Sequence, residues 1–113
     1  MILRRTAAIL CGVALTGTVA FAAEGNAAAG ERKTAQCEGC HGITGYRTAY
    51  PAVYHVPKLG GQHAAYLVKA LQEYRSGERS FATMRAIAAE LNDQDIADIA
   101  AYYSAQRASP AAK

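Results

Sequence analysis

An all-α fold of three main helices plus a short one is what this sequence predicts, and three observations carry that reading. Tyr66, Leu67, Ala70, Leu71 and Tyr74 recur at i, i+1, i+4, i+5 and i+8, which puts them on one helix face. Ile96, Ile99, Ala100 and Tyr103 repeat the pattern at i, i+3, i+4 and i+7. No segment sustains the apolar–polar alternation of a half-buried strand. At 113 residues the chain is one domain's worth.

The first stretch lies outside that domain. Met1 to Arg5 is short and basic, Thr6 to Phe21 is apolar, and Ala20-Phe21-Ala22 is an A-x-A cleavage signature. That order reads as a cleaved export signal over residues 1–23, leaving a domain over 24–113. An uncleaved anchor from Thr6 to Ala23 is just long enough to compete, but the small-residue cleavage site favours removal. Cys11 leaves with the signal. A lipoprotein cysteine is disfavoured by Leu10 before it, and the remaining chain holds only Cys37 and Cys40.

Asn26 is a suitable N-cap for a first helix, which the composition carries through Ala27–Gln36 up to Cys37. Cys37-Glu38-Gly39-Cys40-His41 is C-x-x-C-H, the spacing at which two thiols add to the vinyl groups of a haem. The histidine after the second cysteine is then placed to coordinate the iron. A redox C-x-x-C belongs in a βαβ pattern, which is missing from this sequence. A zinc site needs two further ligands, and His55 and His63 do not form a second pair. A plain disulfide would leave a small core without its staple.

Gly42 to Gly61 is a long connection punctuated by Tyr46, Arg47, Tyr50, Pro51, Tyr54, His55 and Pro57. A loop of that length argues against a compact domain unless it wraps a cofactor, whose edge the tyrosines can cover. Arg47 is a candidate partner for a haem propionate, and a solvated arginine is an equal alternative. The second helix spans Gln62 to Ser76, and Gly77 stops it.

With Met1 removed, Met84 is the single methionine, 43 residues beyond His41. It follows the turn-like Ser76-Gly77-Glu78, so a loop-borne thioether reaching the other side of the iron is expected. His63, opening a helix toward solvent, and His55, within the loop, are weaker rivals. A short helix from Met84 to Leu91 leads to the last one, which starts at Asn92 or Asp93 and ends before Ser109-Pro110. The tail to Lys113 should fray.

Those separated features resemble a class I cytochrome c, nearest the small bacterial c4/c553-like group with a single haem. The matching stretches are Cys37–Gly42, Pro57–Gln62, Tyr66, Tyr74–Arg79, Met84 and Leu91–Tyr103. The resemblance implies a class I cytochrome c fold wrapped around one covalent haem c, with Cys37, Cys40, His41 and Met84 as the cofactor-binding residues. His41 and Met84 would be the iron ligands. It further implies that the first and last helices cross, Gly30 meeting the Tyr102/Tyr103 region. By the same resemblance, the Pro57 carbonyl accepts the His41 Nδ1–H bond. The stretch Tyr46 to Val56 is longer and more aromatic than usual.

The function expected is one-electron transfer in the periplasm, between redox protein partners such as a dehydrogenase or membrane cytochrome complex and a terminal oxidase or reductase. A dedicated cytochrome subunit of an oxidoreductase complex is the alternative. A haem sensor or peroxidase would need a labile sixth ligand. With both axial positions filled, no small-molecule substrate binds at the iron and no enzyme activity is expected. Losing Arg4 and Arg5 leaves 10 basic against 9 acidic residues, so the formal charge falls from +3 to +1. Two propionates bring it to about −1, a balance that gives no reason to expect nucleic-acid binding.

Overall fold

The computed structural model describes residues 22–49 and 53–107. Most of the export-signal reading, Tyr50 and Pro51 of the long loop, and the Ser109-Pro110 tail to Lys113 lie outside the described residues. Among the described residues no helix is long and apolar enough to cross a membrane.

The fold is mostly helical, with elements α1 (Ala27–Glu31), α2 (Ala35–His41), β1 (Arg47–Thr48), β2 (Tyr54–His55), α3 (Ala64–Ser76), α4 (Ala82–Ala89) and α5 (Asp93–Ala105). Asn26 caps α1 as expected, its side chain accepting the Ala29 N–H at 2.9 Å. The expected single helix from Asn26 to the cysteines is instead two. Lys33 N–H donates to the Gly30 carbonyl at 2.9 Å, an i−3 bond, and the Thr34 hydroxyl donates to the Glu31 carbonyl at 2.8 Å. These contacts close α1 and let α2 start in a new direction. Thr34 is buried at the joint. The long loop also contains an antiparallel pair, Arg47 opposite His55 and Thr48 opposite Tyr54, too short to leave an alternating sequence signal.

The second helix starts at Ala64, two residues later than the spacing suggests, because Gln62 turns its side chain back to accept the His63 N–H at 2.9 Å. Gly77 ends it at φ +91°, the left-handed stop that glycine tolerates. The short helix starts at Ala82, so Met84 sits on its first turn and not on a loop. Small residues at 82, 86, 88 and 89 favour helix through that stretch. Asn92 and Asp95 form a reciprocal capping box on α5.

α5 is the spine, packing against α1 and α3, while α4 packs on α3. Ile96, Ile99, Ala100 and Tyr103 of α5 are all buried, the face expected from their spacing, and Ala97 is buried beside them. α1 crosses α5 so closely that a Cβ on Gly30 would overlap the Asp98 carbonyl and lie 2.8 Å from Tyr102 Cβ. Gly25 meets Ala97 and Ala101 in the same way. The crossing is pinned by charge. Lys33 Nζ lies 2.7 Å from Asp98 Oδ2 and 2.8 Å from Asp95 Oδ1. Asp98 Oδ1 accepts from the Asn26 N–H and from Gln94 Nε2, each at 2.8 Å. Lys33 first, then those two donors, hold the Asp98 carboxyl down at about 2.

Candidate functional site

On α2 the three residues of the motif that carry chemistry stand at i, i+3 and i+4, so Cys37, Cys40 and His41 share one face of the helix. That face lines a cleft of about 360 Å³, within the size range of small-molecule and cofactor sites. The apolar stripe of α3, Tyr66, Leu67, Ala70, Leu71 and Tyr74, lines the same cleft in full. Ile99 and Tyr103 of α5 close it from the core side. Phe81, Met84 and Ile87 bring α4 to it, and Thr48, Tyr54 and Val56 bring the long loop.

His41 is held by the bond that the resemblance implied: its Nδ1–H donates to the Pro57 carbonyl at 2.7 Å. That bond fixes the ring and leaves Nε2 as the nitrogen with a free lone pair. Cys37 and Cys40 are not joined to each other. Cys37 packs against the buried cluster of Leu67, Ile99, Ala100 and Tyr103, and burial pushes its thiol up. Glu38, between the cysteines, accepts the Tyr103 hydroxyl at 2.7 Å. Burial, and then that carboxylate, hold the Tyr103 phenol well above its ordinary range. Tyr103 also offers its backbone carbonyl to the Gly61 N–H at 2.9 Å. One residue therefore joins α5, the motif helix and the end of the long loop.

The structure thus brings Cys37, Cys40, His41 and Met84 to one cleft, and leaves the rival histidines outside it. His55 is exposed on β2 and His63 is exposed ahead of α3, neither lining the cleft. Arg47 is exposed opposite His55 and does not line it either, whereas Lys58 and Arg79 do. Of the loop tyrosines, Tyr54 reaches the cleft and stacks on Phe81, ring centroids 4.8 Å apart. Arg79 carries no signal in residue spacing. Its place is created by the turn after α3, where its Nε donates to Glu73 Oε2 at 2.7 Å.

The donor set and the lining fit a covalently held haem. Two thiols a helical turn apart, an imidazole with its second nitrogen already engaged, and a thioether stand around a largely apolar space. Fold and cleft together define a small helical haem-binding protein. The profile of the cytochrome c family matches residues 22–105, and the chain belongs to that family.

Cytochrome c4 of Pseudomonas aeruginosa is 43% identical over 101 residues, 89% of this chain and 47% of that one. Cytochrome c-554(548) of Halomonas halodenitrificans is 48% identical over 85 residues, 73% of this chain and 98% of that one. The crystal structure of reduced cytochrome c4 from Pseudomonas stutzeri superposes with a TM-score of 0.60 at 39% identity, covering 75% of this chain and 47% of the other. The chain therefore spans about half the length of the cytochromes c4 it matches. Its cofactor is haem c, covalently bound and carrying iron.

Proposed function

We propose that the domain over residues 24–113 is an exported one-electron carrier of the periplasm. Cys37 and Cys40 would hold the haem through thioether bonds, and His41 and Met84 would ligate its iron. The observation that carries this reading is the convergence of those four side chains on one cleft, with His41 already oriented through Pro57. When bound, the haem supplies a reversible one-electron couple. What the chain supplies is position and surroundings.

α2 presents both thiols and His41 from one face, so attachment and ligation draw on the same turn of helix. The Pro57 carbonyl keeps the imidazole in the tautomer that can coordinate and fixes the plane of its ring. Met84 is presented from the first turn of α4, which is stiffer than a free loop. A thioether in that place favours the reduced state and raises the potential. The α3 stripe lowers the local polarity. Tyr54 at 48% and Tyr66 at 50% exposure keep the rim of the cleft reachable by a redox partner protein. With His41 and Met84 both engaged on the iron, no position would remain there for a substrate, so the reading is of a carrier and not of an enzyme.

Met84 ligation has its own spectroscopic test. The ferric protein should show the weak long-wavelength absorption of an iron–thioether bond, and Met84→Ala should remove it. Carbon monoxide should bind slowly to the reduced wild-type protein and rapidly to the variant. Rapid binding to the wild type at neutral pH would defeat the closed-site reading and favour a sensor or peroxidase.

A further inference from the structure

We propose that Arg79 is a positioning residue that holds the Met84-bearing segment against α3 and so sets how readily the methionine is displaced from the iron. This rests on the reading of Met84 as a ligand. Five residues, Gly77 to Phe81, join α3 to α4, and Met84 is only five residues beyond Arg79. A connection that short transmits any freedom at Arg79 directly to the first turn of α4.

Arg79 grips α3 in several ways. Its backbone N–H donates to the Glu73 carbonyl at 3.1 Å, and its Nε donates to Glu73 Oε2 at 2.7 Å. Its guanidinium carbon lies 5.7 Å from the Tyr66 ring centre and 5.5 Å from that of Tyr74, within cation–π range of both. Tyr66, Tyr74, Arg79 and Met84 all line the same cleft. Glu73 is itself steadied by Lys69 one turn earlier, at 2.9 Å. Arginine suits this place because a planar fork can pair with a carboxylate while lying over aromatic rings, which an ammonium does less well.

The connection is anchored at both ends as well. Arg85, on the first turn of α4, lies over Gly77, its Nη2 3.4 Å from where a Cβ would stand. Phe81 stacks on Tyr54 of the long loop. Arg79 is the middle anchor of the three, and it is held by the Glu73 carboxylate. A neutral thioether is a weak ligand, so its hold depends on how little freedom its segment has when detached.

A competing ligand measures that freedom. Its apparent affinity scales with the fraction of molecules whose methionine is detached, so loosening the segment tightens its binding by the same factor. The probe is imidazole, titrated into the ferric haem-loaded protein and followed by loss of the long-wavelength band. Arg79→Gln should bind imidazole about three- to tenfold more tightly, since a charged hydrogen bond about one-third exposed is lost. Glu73→Gln should move in the same direction, and Arg79→Lys should fall between Arg79→Gln and the wild type.

Lys33→Gln is the control: it weakens the α1–α5 crossing, away from the cleft, and should lower thermal stability without changing imidazole affinity. Wild-type affinity in both Arg79→Gln and Glu73→Gln would overturn the proposal. So would an equal gain in Lys33→Gln, which would make the effect one of global stability. Should Arg79→Gln not fold, Glu73→Gln and Arg79→Lys carry the same test. Failure of the ligand reading is separate, since the wild type would then lack the band or Met84→Ala would keep it.

Discussion

The two sides of α5 are built differently. On one, α1 crosses with glycine against backbone, a buried Asp98 with every oxygen engaged, and no side chain between the helices at Gly30. On the other, α2, α3 and α4 surround a cleft whose apolar lining is only partly covered. Of that lining, Leu59, Leu71 and Leu91 are half-buried, and Tyr54 and Tyr66 stand about half exposed. The first side is complete in protein atoms. The second has the shape of a core whose centre belongs to the cofactor. A domain of about 90 residues has little interior to spare, so the two sides should respond differently to the same kind of damage.

Breaking the tight side should have the largest effect of a single substitution. Gly30→Val would drive its side chain into the Asp98 carbonyl, which is backbone and cannot rotate away. A loss of about 3 kcal/mol follows, or a fall in Tm of more than about 10 °C by calorimetry. The visible spectrum of the molecules that remain folded should be unchanged, because the cleft is untouched.

Acid should act on the same side. Asp98 titrates at about 2 in the folded protein, below the ordinary aspartate value of about 4. Its contribution is therefore fully present above about pH 4 and is lost as pH falls toward about 2. Asp98→Asn should lower Tm at neutral pH and flatten the acid limb of a Tm–pH profile. A variant with the wild-type slope below pH 4 would show that Asp98 is not the group responsible.

The smallest effect is expected where the two sides meet. Tyr103→Phe removes the hydroxyl that bonds Glu38, and Glu38 can turn to water. About 1 kcal/mol is expected, read from denaturant unfolding of the haem-loaded protein with the absorption spectrum preserved. A loss several times larger would mean that Tyr103 holds the motif helix in place and does more than brace it.

How much of this was legible in the sequence divides along similar lines. The α3 stripe and the buried face of α5 follow from apolar spacing, and the cleft uses the stripe without a single omission. The C-x-x-C-H turn named the cofactor, and Asn26 and Gly77 marked real helix ends. Three features escaped because their causes are tertiary. The break before Ala35 falls where α1 crosses α5 and Lys33 reaches Asp95 and Asp98, more than sixty residues away, and the short-range bonds that close α1 there leave no mark in residue spacing. Met84 reads as loop-borne, at the very start of the short helix, because it follows the turn-like Ser76-Gly77-Glu78, yet the helix begins two residues earlier, where the alanines favour it as soon as α4 can pack on α3. Arg79 acquires its role only when the turn folds it back over Tyr66 and Tyr74.

The central claim is that one side of this fold is complete without its cofactor and the other is not. Thermal unfolding of a Cys37→Ser, Cys40→Ser double variant, followed by circular dichroism, tests that claim most directly. Reduced helix content and a broad, weakly cooperative transition are expected, because the cleft side has lost the body it packs around. A sharp transition with native helix content and a Tm close to that of the haem-loaded protein would contradict it.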